Sequence, residues 1–302
     1  MRLSFSLFPV LALPALSALM APLTVAAQQK VEIHRAAAPN VSVRIGGAFS
    51  SLKVSAWPSD SIALTGAVGV GSRLDGGSIN RTGPVTGMKF FVIATENASI
   101  AGNRLELRVP RGARVWAKAG SADIEVNGVA GGLDLNIIGG SVRVTGKPTE
   151  LIIESMDGSV SFTGFTDYAR VKTATGDITL FGGGEDLSFS TVSGNINGSN
   201  GERTIARARF ESVTGSITFA GDLPRGADLR FDTHSGPIAL RLASSRVDID
   251  AMTHTGAIEN AWSSERPIAG REGRGMELGV SSAGSSARVS IRSFKGNVSI
   301  RP

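Results

Sequence analysis

Residues 171–180 read VKTATGDITL, residues 189–198 read FSTVSGNING and residues 210–219 read FESVTGSITF. The three stretches share one plan: apolar and polar residues alternate up to a hydroxyl side chain, a glycine follows three positions later, and alternation resumes. Period two on both sides of a glycine describes two half-buried strands joined at a corner. The plan recurs along the chain. Corner glycines stand at Gly140, Gly158, Gly176, Gly194, Gly215, Gly236, Gly256 and Gly296, with spacings of 18, 18, 18, 21, 21, 20 and 40 residues. Ala122 holds the glycine place one spacing earlier.

Columns of like residues fix which way the side chains point. Five positions before the glycine stand Leu135, Ile153, Val171, Phe189, Phe210, Phe231, Ile249 and Ile291; two positions after it stand Val142, Val160, Ile178, Ile196, Ile217, Ile238, Ile258 and Val298. Both columns are apolar and therefore inward. Three positions before the glycine the same parity carries Ser155, Thr173, Thr191, Ser212, Thr233, Thr253 and Ser293, hydroxyls suited to satisfying backbone groups at a bend. Coils of about 18–21 residues stacked in this way predict an all-β chain, a right-handed parallel β-solenoid with an irregular β N-terminal cap. Two stacked antiparallel sheets are the alternative topology.

The expected organisation is a signal peptide at 1–27, an N-terminal β cap with the first irregular coils at 28–112, and the repeat region at 113–302 with a loop insertion at 260–275. In 28–112, strand candidates lie at 41–45, 52–56, 62–68, 88–94 and 104–109, and the Gly-, Ser- and Thr-rich stretch 69–87 reads as a long surface loop. The first 27 residues carry one charge, Arg2, then a long apolar run ending Val25-Ala26-Ala27, the pattern of a cleaved secretory signal. A membrane anchor is the competing reading, and Pro9, Pro14 and Pro22 argue against a spanning helix. With the leader removed, no transmembrane segment is expected. Export places the chain in the periplasm or on the outer cell surface.

The chain has no cysteine, so an exported domain of about 275 residues must be held by its core and hydrogen bonding. Thiolate metal sites and thiol nucleophiles are excluded. Without Arg2 the formal charge falls from +5 to +4, a weak basic excess and no polybasic tract. The scattered Trp57, Trp116 and Trp262 make no stacking stripe for nucleic acid; Trp262 alone falls in an expected loop, where a sugar or partner could stack.

The segments VKTATGDITL, FSTVSGNING, FESVTGSITFAGDLPRGADL (210–229), ARVSIRSFKGNVSIR (287–301) and LELRVPRGARVWAKAGSADIEVNGV (105–129) resemble the bacterial adhesin-like family of unknown function with β-strand repeats. Gly120-Ser121-Ala122-Asp123 departs from the usual Ser-Gly-Asp corner. The resemblance implies an extracytoplasmic repeat domain with an adhesive, scaffolding or envelope-associated role and brings no catalytic residue with it.

Solenoids also serve enzymes acting on polysaccharides, so the acidic residues need weighing. Glu211 and Asp232 stand four positions before their glycines, outward and on neighbouring coils, where two carboxyls could lie near the separation of a retaining glycosidase. Arg209 and Arg230 fill the adjacent outward column, which makes a checkerboard of solvated charge the plainer reading. His234 and His254, each two positions before a glycine, are expected to stack one coil apart; two imidazoles without a third ligand make a weak metal site. Asp123 and Asp177 occupy equivalent corners with Ser141 and Ser159 between them, so they do not cluster for calcium. No nucleophile elbow, phosphate loop or dinucleotide fingerprint occurs. The sequence thus points to a non-enzymatic chain with no catalytic, cofactor or metal residues. Its candidate partners are an envelope polysaccharide or another envelope protein. A polysaccharide-acting enzyme and an accessory of an envelope-stress system are the alternatives.

Overall fold

The computed structural model describes residues 28–78, 80, 82–243, 246–270, 273–282 and 287–302. The expected signal peptide, residues 1–27, lies outside the described residues. In chain order the strands are β1 (Gln29–Gly47), β2 (Ser51–Trp57), β3 (Ser61–Val68), β4 (Ser72–Ser78), β5 (Val85–Ala94), β6 (Arg104–Pro110), β7 (Arg114–Asn127) and β8 (Gly132–Gly146). They continue with β9 (Glu150–Ser155), β10 (Ser159–Lys172), β11 (Ile178–Thr191), β12 (Ile196–Gly201), β13 (Ile205–Ser212), β14 (Ile217–Gly221), β15 (Asp228–Thr233) and β16 (Ile238–Leu242). The last are β17 (Val247–Thr253), β18 (Ile258–Asn260), β19 (Ile268–Ala269), β20 (Met276–Val280), β21 (Ala287–Ser293) and β22 (Val298–Arg301). Between β5 and β6 lies a single 3-10 turn, Ile100–Gly102.

The strands stack as a parallel β-solenoid in the alignment the columns dictate. Ile124 pairs with Val142, Val142 with Val160, Val160 with Ile178, Ile178 with Ile196, Ile196 with Ile217 and Ile217 with Ile238, all in parallel ladders. Every member of this column is at most 2% exposed. In the column five positions before the glycine, Phe189, Phe210 and Phe231 stack face to face, with ring centroids 5.5 and 5.0 Å apart, and Phe219 tilts against the last two. The hydroxyl column closes the corners: Thr173 Oγ1 donates to the Gly176 carbonyl at 2.6 Å, while the Gly215, Gly236 and Gly256 amides donate to Ser212, Thr233 and Thr253 at 2.9–3.0 Å.

Close stacking, more than a special backbone angle, demands glycine at most corners. A Cβ on Gly176, Gly194, Gly215 or Gly236 would lie 1.8–2.2 Å from the carbonyl oxygen of the preceding corner glycine. The same test reveals the order of the last coils, because a Cβ on Gly296 would strike Gly236 and one on Gly256 would strike Gly296.

The coils therefore do not stack in chain order at the C-terminal end. β15 pairs with β21, and β21 pairs with β17; β16 pairs with β22, and β22 with β18. The last coil of the chain is inserted between two earlier ones. The N-terminal end repeats the device: β1 pairs in parallel with both β5 and β7, and β2 with both β6 and β7, so the first coil also lies inside the stack. Antiparallel strands cover the outermost coils, β4 on β5, β3 on β6 and β20 on β17. A solenoid end is an unpaired sheet edge, and these strands shield it.

The stretch 69–87, expected to be a loop, contains β4, a strand hydrogen-bonded antiparallel to β5. An outermost strand has one edge and much of its surface in water, so it needs little apolar alternation; Leu74 is its contact with the core. The five expected strands of the cap all form, but the sequence missed the first half of β1, which pairs antiparallel with β3.

Asn103 ties this end together although it is wholly buried. Its Nδ2 donates to the Ala48 carbonyl at 2.6 Å and to Ser72 Oγ at 2.9 Å, and its Oδ1 accepts the Gly69 amide at 2.6 Å. Asn103→Ala leaves buried backbone groups unpaired, for an expected loss of about 3 kcal/mol. Urea denaturation measures it; a midpoint unchanged from the parent chain would refute the clamp.

Candidate functional site

The outward face of β13, β15, β21 and β17 collects the charged residues that the sequence singled out. Glu211 pairs in register with Asp232, and Arg209 with Arg230. Arg209 Nη2 lies 2.5 Å from Glu211 Oε1 and 3.5 Å from Asp232 Oδ2, so one guanidinium bridges both carboxylates. Arg207 meets Asp186 and Arg230 meets Asp228, each at 3.5 Å. The checkerboard is present and is wider than the four residues named from sequence.

The inserted coil adds Arg292 next to Asp232 in the ladder and gives Asp250 of β17 a partner. Arg292 Nη2 donates to Asp250 Oδ2 at 2.6 Å. This hydrogen bond holds Asp250 below the usual carboxylate range, so the pair's contribution is present at neutral pH and lost as pH falls through that lowered value. Burial pushes Asp232 the other way, above its usual value, against the pull of Arg209.

Glu211 and Asp232 also line a corner groove of about 780 Å³ with His234, His254, Arg274, Glu277, Arg292 and Phe294. The two histidines do not stack on each other, which corrects the expectation of neighbouring coils. Phe294 of the inserted coil stands between them, its centroid 5.0 Å from His234 and 4.9 Å from His254, with planes within 10°. The phenyl ring removes any direct imidazole pair that could share a metal, and among the described residues no group of three or more His, Asp or Glu is placed to hold one.

The other sequence candidates have structural partners. Ser141 Oγ donates to Asp123 Oδ1 at 2.6 Å, and the Asn195 amide donates to Asp177 Oδ1 at 2.7 Å, so these aspartates cap neighbouring coils. Trp262 is half-buried against the core and its Nε1 donates to the Leu242 carbonyl at 3.0 Å.

What sequence reading did not single out is the corner two positions before the glycine as a surface. Ile138, Met156, Val192, Val213 and Phe294 are 44–56% exposed, one above another. Their common signal is an apolar residue at a position whose parity points outward. Near β8 and β9 this ladder borders a second, more apolar groove of about 920 Å³ that includes Phe91, Trp116, Ile138 and Met156. No described helix is long and apolar enough to cross a membrane.

A family model described as Toastrack DUF4097, a domain of unknown function, matches residues 29–241. No curated protein matches the chain. Two solved structures are similar at 11% identity. One is described as a "putative cell adhesion protein" from Clostridium sporogenes, aligned over 90% of this chain and 99% of that one with a TM-score of 0.23. The other is a "putative adhesin" from Bacteroides fragilis, aligned over 91% and 98% with a TM-score of 0.44.

Proposed function

The chain belongs to the Toastrack DUF4097 family, and from that premise we propose that it is a non-catalytic, adhesin-like or scaffold protein of the bacterial cell envelope. The observation that carries this reading is the bridging of Glu211 and Asp232 by Arg209. A general acid and a nucleophile must be free to reach a substrate and must hold opposite protonation states. Here one guanidinium bridges both carboxylates, as in an ordinary surface ladder. A rigid stack with long lateral faces offers a partner many small contacts at once, the arrangement repeat scaffolds use for binding. Export by way of the residues 1–27 leader belongs to this proposal.

The test uses the purified chain against envelope fractions and a glycan array, with reducing-end release followed on the same polymers. Saturable, salt-sensitive binding without cleavage is the expected result. Release of new sugar ends that disappears in Glu211→Gln would replace this reading with a polysaccharide-acting enzyme.

A further inference from the structure

The exposed corner ladder runs along the stack in the order Ile138, Met156, Ala174, Val192, Val213, His234, Phe294, His254. Backbone hydrogen bonds between successive corners fix that order: Asp157 to Ile138, Ala174 to Met156, Val192 to Ala174, Val213 to Val192, Ser235 to Val213, Lys295 to His234 and Thr255 to Phe294. Beside it, two positions earlier on each coil, runs an outward column in paired register: Asn136, Glu154, Lys172, Ser190, Glu211, Asp232, Arg292, Met252. An apolar ridge of this length flanked by ordered charge is the composition of a protein interface.

We propose that the ladder is the interface of a homodimer in which a second copy of the chain docks antiparallel, its two-fold axis passing between the Val192 and Val213 rungs. In a two-fold interface every contact occurs twice, so the surface must complement its own reverse. This one does. Reversed about that centre, Glu154 faces Arg292 of the second copy and Lys172 faces Asp232, while the uncharged Asn136 and Met252 meet beyond them. Along the ridge Val192 meets Val213, the small Ala174 meets His234, Met156 meets Phe294, and Ile138 meets His254.

The neighbouring alignments are poorer. A slip of one rung in one direction puts Glu154 against Asp232, which offsets the Lys172–Glu211 pair it makes, and a slip in the other puts Lys172 against Arg292 and Glu211 against its own copy. Like charges brought together at an interface are penalised, so the pattern selects one alignment. The reverse complement depends on the inserted coil, which supplies Arg292 and Phe294. The proposal concerns self-association and goes beyond the envelope reading; either can fail without the other.

The experiment combines sedimentation with cross-linking in a chain that has no cysteine of its own. The full chain should sediment at twice its monomer mass. Val192→Glu, at a site 53% exposed, should return it to the monomer mass with an unchanged far-UV circular dichroism spectrum, and Lys172→Glu should weaken association at least about tenfold. Under mild oxidation Ile138→Cys alone should stay uncross-linked, because its two copies lie on the order of 30 Å apart across the dimer. His254→Cys alone should behave the same way, while an equal mixture of the two variants should form a covalent dimer. A chain that is monomeric at its highest soluble concentration would overturn the proposal. So would a dimer that survives Val192→Glu, or Ile138→Cys cross-linking to itself as readily as to His254→Cys.

Discussion

Deleting residues 287–302 should destabilise the C-terminal half of the protein far more than removal of an end coil would. These residues form a coil with a neighbour on each side. Ala287, Val289, Ile291, Val298 and Ile300 are all at most 1% exposed. The four larger ones together account for roughly 6–12 kcal/mol of apolar burial, comparable with the whole stability of a typical domain. Their loss also leaves β15 and β16 facing β17 and β18 across an empty rung, with unpaired edges on both sides. Limited proteolysis and thermal melting provide the readout, and cleavage within 243–282 together with loss of the cooperative transition is expected. If the shortened chain melted like the full one, β17 and β18 would be able to close directly onto β15 and β16, and the inserted coil would contribute nothing essential.

Ile178→Asp should cost more than about 4 kcal/mol, because it removes a buried side chain and places an unpaired carboxylate in the inward column. Ile178 is fully buried between Val160 and Ile196. Thr179→Asp, one residue further along the same strand and exposed, should stay within about 0.5 kcal/mol. Chemical denaturation of the two variants side by side separates the effects. Equal damage from both would contradict the assignment of faces.

The proposed dimer bears on the alternative enzymatic reading through geometry. The ladder residues Val213, His234, Phe294 and His254 also line the groove that holds Glu211 and Asp232, so a second copy docked on the ladder would cover that groove. The Toastrack family match ends at residue 241, before the coil that supplies Phe294 and Arg292. The last coils, and whatever self-association they support, lie outside the matched span.

Much of the candidate site was legible residue by residue. Glu211 beside Asp232 and Arg209 beside Arg230 follow from a 21-residue spacing and a parity count, and the structure pairs them so. The partners of Asp250 and of the two histidines were not legible, since all three depend on a coil 40–60 residues further along the chain. Asn103 was hidden for a related reason: its three contacts come from β1–β2, β3–β4 and the start of β4, which no local pattern connects.

The amino-acid sequence by itself determined the strands of the repeat region, their inward faces, the corners and the coil length, because alternation of period two and a glycine where backbones touch are local requirements that each coil meets alone. Only the tertiary structure decided the order in which the coils stack. Every coil offers the same apolar columns and the same glycine corner to its neighbours, so the chain-order arrangement and the interleaved one satisfy the pattern equally well. What separates them is how the outer edges are covered: with the first and last coils drawn inside, β3, β4 and β20 can fold back antiparallel over the edges that remain.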